Sequence, residues 1–253
     1  MSGWLAIAGL GPGAAELVTP EVTATLAQAT DLIGYAPYVA RVPERAGLIR
    51  HGSDNREELD RASLALRLAS EGRRVVVVSS GDPGVFAMAA AVFEAVDGGY
   101  PAWRDLDIRV LPGISAMFAA AARIGAPLGH DFCAINLSDN LKPWELIERR
   151  LRLAAQADFV IALYNPLSKA RPWQLGRALN LLREELPETV PVVFASAVSD
   201  TREAIETITL RDAVPERADM RTLVLIGSSR TKLIARGNRR SFVYTPRSAG
   251  VVS

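Results

Sequence analysis

Cysteine and histidine are nearly missing from this 253-residue chain, which has one cysteine, Cys133, and two histidines far apart, His51 and His130. A lone cysteine excludes an internal disulfide framework, and no His/Cys cluster has metal-ligand spacing, so the composition argues against a metalloenzyme. Lysine is scarce too. Of 29 basic residues only Lys142, Lys169 and Lys232 are lysines, so nearly all positive charge is guanidinium, the group that grips carboxylates in bidentate fashion. Codon bias toward arginine explains that ratio equally well. A net charge of +1 gives no global attraction for nucleic acid or anionic membrane. There is no run of about 18 uncharged apolar residues that could span a bilayer, and no basic region precedes the first apolar run as in a signal peptide. The expectation is a cytoplasmic protein with neither nucleic acid nor membrane as partner.

What is abundant is buried apolar sequence: 49% of residues are hydrophobic and 23% charged. The length allows one large or two small domains. Strand-length apolar runs alternate with amphipathic stretches, the pattern of an α/β protein with largely parallel sheets. WLAIAGL, DLIGY, GLIRH, RRVVVVSS and LDIRVL form a first set of five. FCAINLS, DFVIALY, VPVVFASAV, ETITL and TLVLIGS form a second, with SFVYTP as a possible last strand. Two sets predict two α/β units with mostly parallel five-stranded sheets, residues 1–124 and 125–253, divided in the Gly- and Pro-containing stretch RIGAPLGH. Helix starts are expected at Thr19-Pro20-Glu21, near Ser53 or Asp54, and at Lys142-Pro143-Trp144-Glu145.

In open parallel sheets ligands bind beyond the carboxyl ends of strands, and four such ends are unusual here. The first is GLGPG. A dinucleotide fingerprint needs G-x-G-x-x-G running straight into a helix, with an acidic residue closing the second strand. Here Pro12 stiffens the loop, Ala14 holds the third glycine position, the helix signal waits until Thr19, and Asp31 precedes its strand. A nicotinamide-dependent oxidoreductase therefore has only this loop in its favour. The second end is VVVVSSGDPGVF, where Gly81 and Gly84 allow close backbone approach and Asp82 can accept hydrogen bonds, although a tight turn with an Asp cap would look the same. The third is VLPGISA, a turn running into a helix start with free backbone donors. The fourth is IALYNPLS.

Taken in order and spacing, GLGPG, SSGDPGVF, LPGISA and ALYNP resemble the tetrapyrrole methylases, over essentially the whole chain. Within that family GHDFCAINLSDNLKPWELIERRL and YNPLSKARPWQLGRA are similar to the branch that methylates C17 of precorrin-3B and contracts the ring to give precorrin-4 in cobalamin synthesis. The resemblance implies two α/β/α domains, a homodimer, and S-adenosylmethionine folded in an interdomain cleft and released as S-adenosylhomocysteine. It assigns the main cofactor loop to Gly81, Asp82 and Val85, and the methionine end to Ser115 and Ala116. Pro12, Asn165, Ala197 and Leu223 are assigned to the adenosine pocket. A macrocycle bearing many carboxylates implies cationic partners, with Arg41, Arg56, Lys142, Lys169 and Arg171 as candidates, each also readable as a solvated surface charge. Ring contraction implies proton transfer, for which Asp54, His130, Asp131, Asp139 and Tyr164 are candidates without a ranking. Where many members carry G-M-x-x-E-x-x-R-A this chain has SDNREELDRA, residues 53–62, a departure at the helix entrance. A sibling with another target carbon and a non-catalytic tetrapyrrole carrier are the remaining alternatives.

Overall fold

The structure, a computed structural model, describes residues 3–54, 57–168 and 172–248. Arg56, Lys169 and Arg171, three of the candidate cations, lie outside the described residues. The chain divides into two compact units, Met1–Ser115 and Ala116–Ser253.

The first unit runs β1 Trp4–Gly9, α1 Pro20–Gln28, β2 Asp31–Tyr35, α2 Ala36–Val39, β3 Ile49–Ser53, α3 Glu58–Ser70, β4 Arg74–Ser79, α4 Met88–Gly98 and β5 Asp107–Leu111. Its sheet has the order β3-β2-β4-β1-β5 with every pairing parallel. Alternation along the central strands builds the layers. Leu5, Ile7, Val75 and Val77 pack with α3 and α4 on one face, while Ala6, Ala8, Val76 and Val78 pack with Val22 of α1 on the other. The Thr19 hydroxyl caps α1 by accepting from the Val22 N–H at 3.3 Å, with Pro20 in the first turn. The helix expected near Ser53 or Asp54 starts later, at Glu58, because Ser53 is the last residue of β3.

The second unit runs α5 Ala116–Ile124, β6 Gly125–Ala126, β7 Phe132–Asn136, α6 Trp144–Gln156, β8 Val160–Tyr164, α7 Gln174–Glu185, β9 Pro191–Ser196, β10 Ala204–Thr209, β11 Thr222–Ile226, β12 Lys232–Arg236 and β13 Arg239–Tyr244. Its five-stranded sheet has the order β10-β9-β11-β8-β7, and here the expectation of mostly parallel strands fails. Only β7 and β8 pair parallel; β8 with β11, β11 with β9 and β9 with β10 pair antiparallel. The connections supply the reason. Helices α6 and α7 carry the chain from β7 to β8 and from β8 to β9 in one direction, whereas no α-helix follows β9 or β10 and the strands reverse.

The stretch RIGAPLGH is not a linker in this structure. Gly125 and Ala126 pair with Val243 and Tyr244 in a small sheet, β12-β13-β6, and α5 packs on β11 and β13, so α5 belongs to the second unit. Among the described residues no helix is long and apolar enough to cross a membrane.

Candidate functional site

In the first unit β4, β1 and β5 are neighbours, so their carboxyl ends bring three of the four unusual loops together. Gly11 and Gly81 exchange backbone hydrogen bonds, Gly11 N–H to the Gly81 carbonyl at 3.2 Å and Gly81 N–H to the Gly11 carbonyl at 2.9 Å. Both glycines have φ of +64°, a conformation L side chains rarely adopt. Asp82 ties the second loop to the third: one carboxylate oxygen accepts from Gly113 N–H at 3.0 Å, the other from Gly84 N–H at 2.8 Å. A Cβ on Gly9 would stand 2.5 Å from the Gly81 carbonyl oxygen, and one on Gly113 would stand 2.2 Å from it. At Gly9 and Gly113, therefore, the absence of a side chain serves loop-on-loop packing. The result is a ledge of backbone, with Pro12 and Val85 half-buried on it and Ser115 buried.

Arg41, offered by the sequence as a substrate cation, is used otherwise. Its guanidinium donates to the carbonyl oxygens of Leu10, Gly11 and Gly13, with the Ser80 hydroxyl at 3.4 Å. A planar five-donor fork suits such a crown of carbonyls, and it fixes the curvature of GLGPG. The same loop makes no phosphate cradle: a short 3-10 turn, Ala15–Leu17, follows it, and α1 begins only at Pro20.

In the second unit β7, β8 and β9 point the same way, and the amino end of β11 enters beside the carboxyl ends of β8 and β9. This edge collects Asn136, Tyr164, Asn165, Ala197 and Leu223. The Tyr164 hydroxyl accepts from the Met117 N–H in the first turn of α5 at 3.2 Å, just after Ala116. Asn165 donates to the Asn136 side-chain oxygen at 3.0 Å. Asn165 and Ala197 have φ of +51° and +49°; for alanine this left-handed backbone costs about 1–2 kcal/mol, the kind of strain that collects at ligand sites. Leu223 is buried within β11, opposite Ala195 of β9. Asp219 fastens the entry to β11. Burial acts to raise its pKa, but hydrogen bonds from Thr222, the Arg221 backbone and Ser196 outweigh it and hold the carboxyl below its ordinary value.

The proton-transfer candidates separate by position. Tyr164 ends β8, and Asp54 follows β3, its carbonyl accepting from Arg61 at 2.6 Å. Asp139 accepts from the Gln174 amide at 3.1 Å. His130 and Asp131, 3.7 Å apart, precede β7, at the far end of the sheet from Asn136 and Asn165. Five strand residues at about 3.3 Å each separate the two ends by roughly 16 Å. Lys142 donates to the Ser138 carbonyl at 3.0 Å, and burial with the nearby Arg150 lowers its pKa against the opposing pull of Asp139. Burial raises the Cys133 thiol to about 11, so it is an inert β7 side chain. Two residues not singled out from the sequence also stand at these strand ends: Asn136, the last residue of β7, and Phe86, exposed at the end of the SSGDPGVF loop with φ of +54°.

The family model for tetrapyrrole (corrin/porphyrin) methylases matches residues 5–214. The chain belongs to the tetrapyrrole methylases. This membership replaces the oxidoreductase alternative. It is 57% identical over 247 residues to a Sinorhizobium protein named precorrin-3B C(17)-methyltransferase, covering 98% of this chain and 97% of that one. It is 47% identical over 251 residues to the cobalamin biosynthesis protein CobIJ of Mycobacterium bovis, covering 98% of this chain but 48% of the relative, so it spans about half of that longer protein. Among solved structures, the methyltransferase CobJ superposes with a TM-score of 0.92 at 61% identity, covering 97% of this chain and 100% of that one. A Thermus thermophilus uroporphyrin-III C-methyltransferase, solved in complex with S-adenyl homocysteine, superposes with a TM-score of 0.66 at 20% identity, covering 89% and 97% of the two chains. At that identity it shows the shared methylase fold alone.

Proposed function

We propose that this methylase transfers a methyl group from S-adenosylmethionine to C17 of precorrin-3B, with ring contraction to precorrin-4. The observation that carries the reading is 57% identity, over nearly the full length of both chains, to a protein of that name. The loops fit the cofactor on the structure's own terms. Left-handed backbone at Gly11 and Gly81 in the first unit, and at Asn165 and Ala197 in the second, suits recognition of a compact nucleoside by backbone groups. The candidate contacts in the first unit remain Pro12, Gly81, Asp82, Val85 and Ser115, and those in the second, taken by itself, remain Ala116, Asn165, Ala197 and Leu223.

S-adenosylmethionine supplies a methyl group on a sulfonium sulfur, a leaving group already built in. The protein's task is to hold an electron-rich ring carbon in line, and such positioning contributes up to about 7–11 kcal/mol. Arg41 and Asp82 set the loops for this by binding backbone, leaving the ledge rigid. Ring contraction adds a proton transfer, for which the candidates we keep are Asp54, just after β3 in the first unit, and Tyr164, the last residue of β8 in the second. A homodimer located in the cytoplasm, acting on the free macrocycle without nucleic acid or membrane, completes the proposal.

Incubation with S-adenosylmethionine and precorrin-3B, followed by mass and NMR analysis, tests it. The expected product carries one new methyl at C17 and a contracted ring. Methylation at another carbon would replace the assignment with a sibling activity. Binding of the macrocycle with no affinity for S-adenosylhomocysteine would indicate a carrier.

A further inference from the structure

Beyond the loop ledge, the first unit holds a cavity of about 290 Å³ at the carboxyl end of β3, where α3 begins. It is lined by Ile33, His51, Gly52, Ser53, Glu57, Asp60, Arg61 and Leu64. Arg61 is the unusual member: it is only 5% exposed, yet all its partners are neutral. Its Nε donates to the Ser53 hydroxyl at 2.8 Å, one Nη to the Asp54 carbonyl at 2.6 Å, and the other Nη meets the Met88 sulfur at 3.5 Å. It makes no ion pair with a described carboxylate. A buried guanidinium without a counter-charge is costly, and three neutral acceptors leave part of its five-donor fork for another acceptor.

Two neighbouring features favour the same kind of occupant. Arg61 sits in the first turns of the 13-residue helix α3, where the helix dipole is positive, so it is not placed there to stabilise the helix. The N-cap residue, Glu57, provides no side-chain cap. His51 lines the wall beside Ser53, its Nε2 held by the buried Asp31 carboxylate at 2.9 Å. Glu57 and Asp60 also line the cavity, but both are exposed, where water screens them, while Arg61 is not.

We propose that this cavity is a carboxylate subsite, with Arg61 as the anchor for one acetate or propionate arm of the macrocycle. The proposal rests on the tetrapyrrole reading above and adds to it a named anchor: Arg61-Ala62 stand where the family pattern has R-A, and the departure lies before them, at the helix entrance. Arg61 binds and orients; it takes no part in methyl transfer.

Uroporphyrin I, a macrocycle with eight carboxylates, serves as probe in fluorescence titrations of the full chain, with S-adenosylhomocysteine titrated separately by calorimetry. Arg61→Gln should raise the uroporphyrin Kd at least tenfold and leave the S-adenosylhomocysteine Kd within about twofold. Because Arg61 is buried, a second variant guards against loss of fold. Ser53→Asp places a carboxylate against Nε, fills the counter-charge from within, and should weaken uroporphyrin equally while unfolding no earlier than wild type. If folded Ser53→Asp and Arg61→Gln both keep the wild-type uroporphyrin Kd, the subsite is refuted while the methylase reading stands. If the wild-type chain binds neither probe, the reading of function falls, and the subsite with it.

Discussion

The Arg41 guanidinium holds the Gly11 carbonyl from two nitrogens, each at 3.2 Å, and so turns a glycine loop into a fixed surface. Four acceptors of the first and second loops converge on this one side chain. Hydrogen bonds to a charged group contribute about 1.5–3 kcal/mol together with the backbone order they impose. Arg41→Ala should lower stability by about 2 kcal/mol in urea unfolding and weaken S-adenosylhomocysteine at least tenfold. Arg41→Lys, which keeps charge but loses the fork, should recover little of the affinity. Unchanged affinity in Arg41→Ala would show that the loop's shape does not depend on this contact.

Asp31 makes stability depend on acid pH. Its carboxylate is buried in β2; burial acts to raise its pKa, and hydrogen bonds from Arg73, His51 and Thr30 outweigh this and pull it below 3.8. A folded-state pKa below the unfolded one means that the unfolded chain binds the proton first, so stability is present in full above the unfolded value and falls as pH drops through the folded one. Asp31→Asn should therefore be less stable than wild type at pH 7, with the gap narrowing below about pH 4. Urea midpoints measured from pH 7 to pH 3 check this, and a gap independent of pH would contradict it.

Position along the chain was easier to read than direction or partner. The four loop motifs were legible because glycine and proline at strand ends leave few alternatives, and parallel β4, β1 and β5 gathered three of them. Strand direction in the second unit was harder to read: β11 is as continuously apolar as a parallel strand, and the reversal shows only in the alternation of AIETIT in β10 and in the missing α-helices after β9 and β10. The roles of Arg41 and Arg61 were hidden for another reason. An arginine's sequence context does not say whether its donors will meet carbonyls 30 residues away, as in Arg41, or neutral groups in a cavity, as in Arg61.

Gly113 tests loop packing apart from ligand binding. An added Cβ would meet the Gly81 carbonyl oxygen at 2.2 Å, with the Gly9 backbone at 2.9 Å, and neither neighbour is a flexible side chain. Gly113→Ala should cost about 1–3 kcal/mol, the usual penalty for overpacking, and the loss should appear in thermal unfolding without any ligand. Gly47→Ala provides a control with open space around the Cβ, although its φ of +78° adds strain of about 1 kcal/mol. A smaller loss at Gly113 than at Gly47 would mean that the loops part easily.

His130 and Asp82 should behave in opposite ways, although the sequence offered both as site residues. His130 precedes β7, at the end of the second sheet away from Asn165 and Ala197, and its neighbour Asp131 is 79% exposed. His130→Ala and Asp131→Asn should leave kcat and the KM for S-adenosylmethionine within about twofold of wild type. Asp82→Asn keeps the shape but retains one acceptor oxygen where two are in use, so the tie to Gly113 or to Gly84 is lost. One such bond is worth about 1.5 kcal/mol, and the variant should raise the S-adenosylmethionine KM about tenfold while kcat falls less. Initial rates across both substrates separate these outcomes. A His130 variant without activity, paired with a silent Asp82 variant, would move the chemistry to the other end of the sheet.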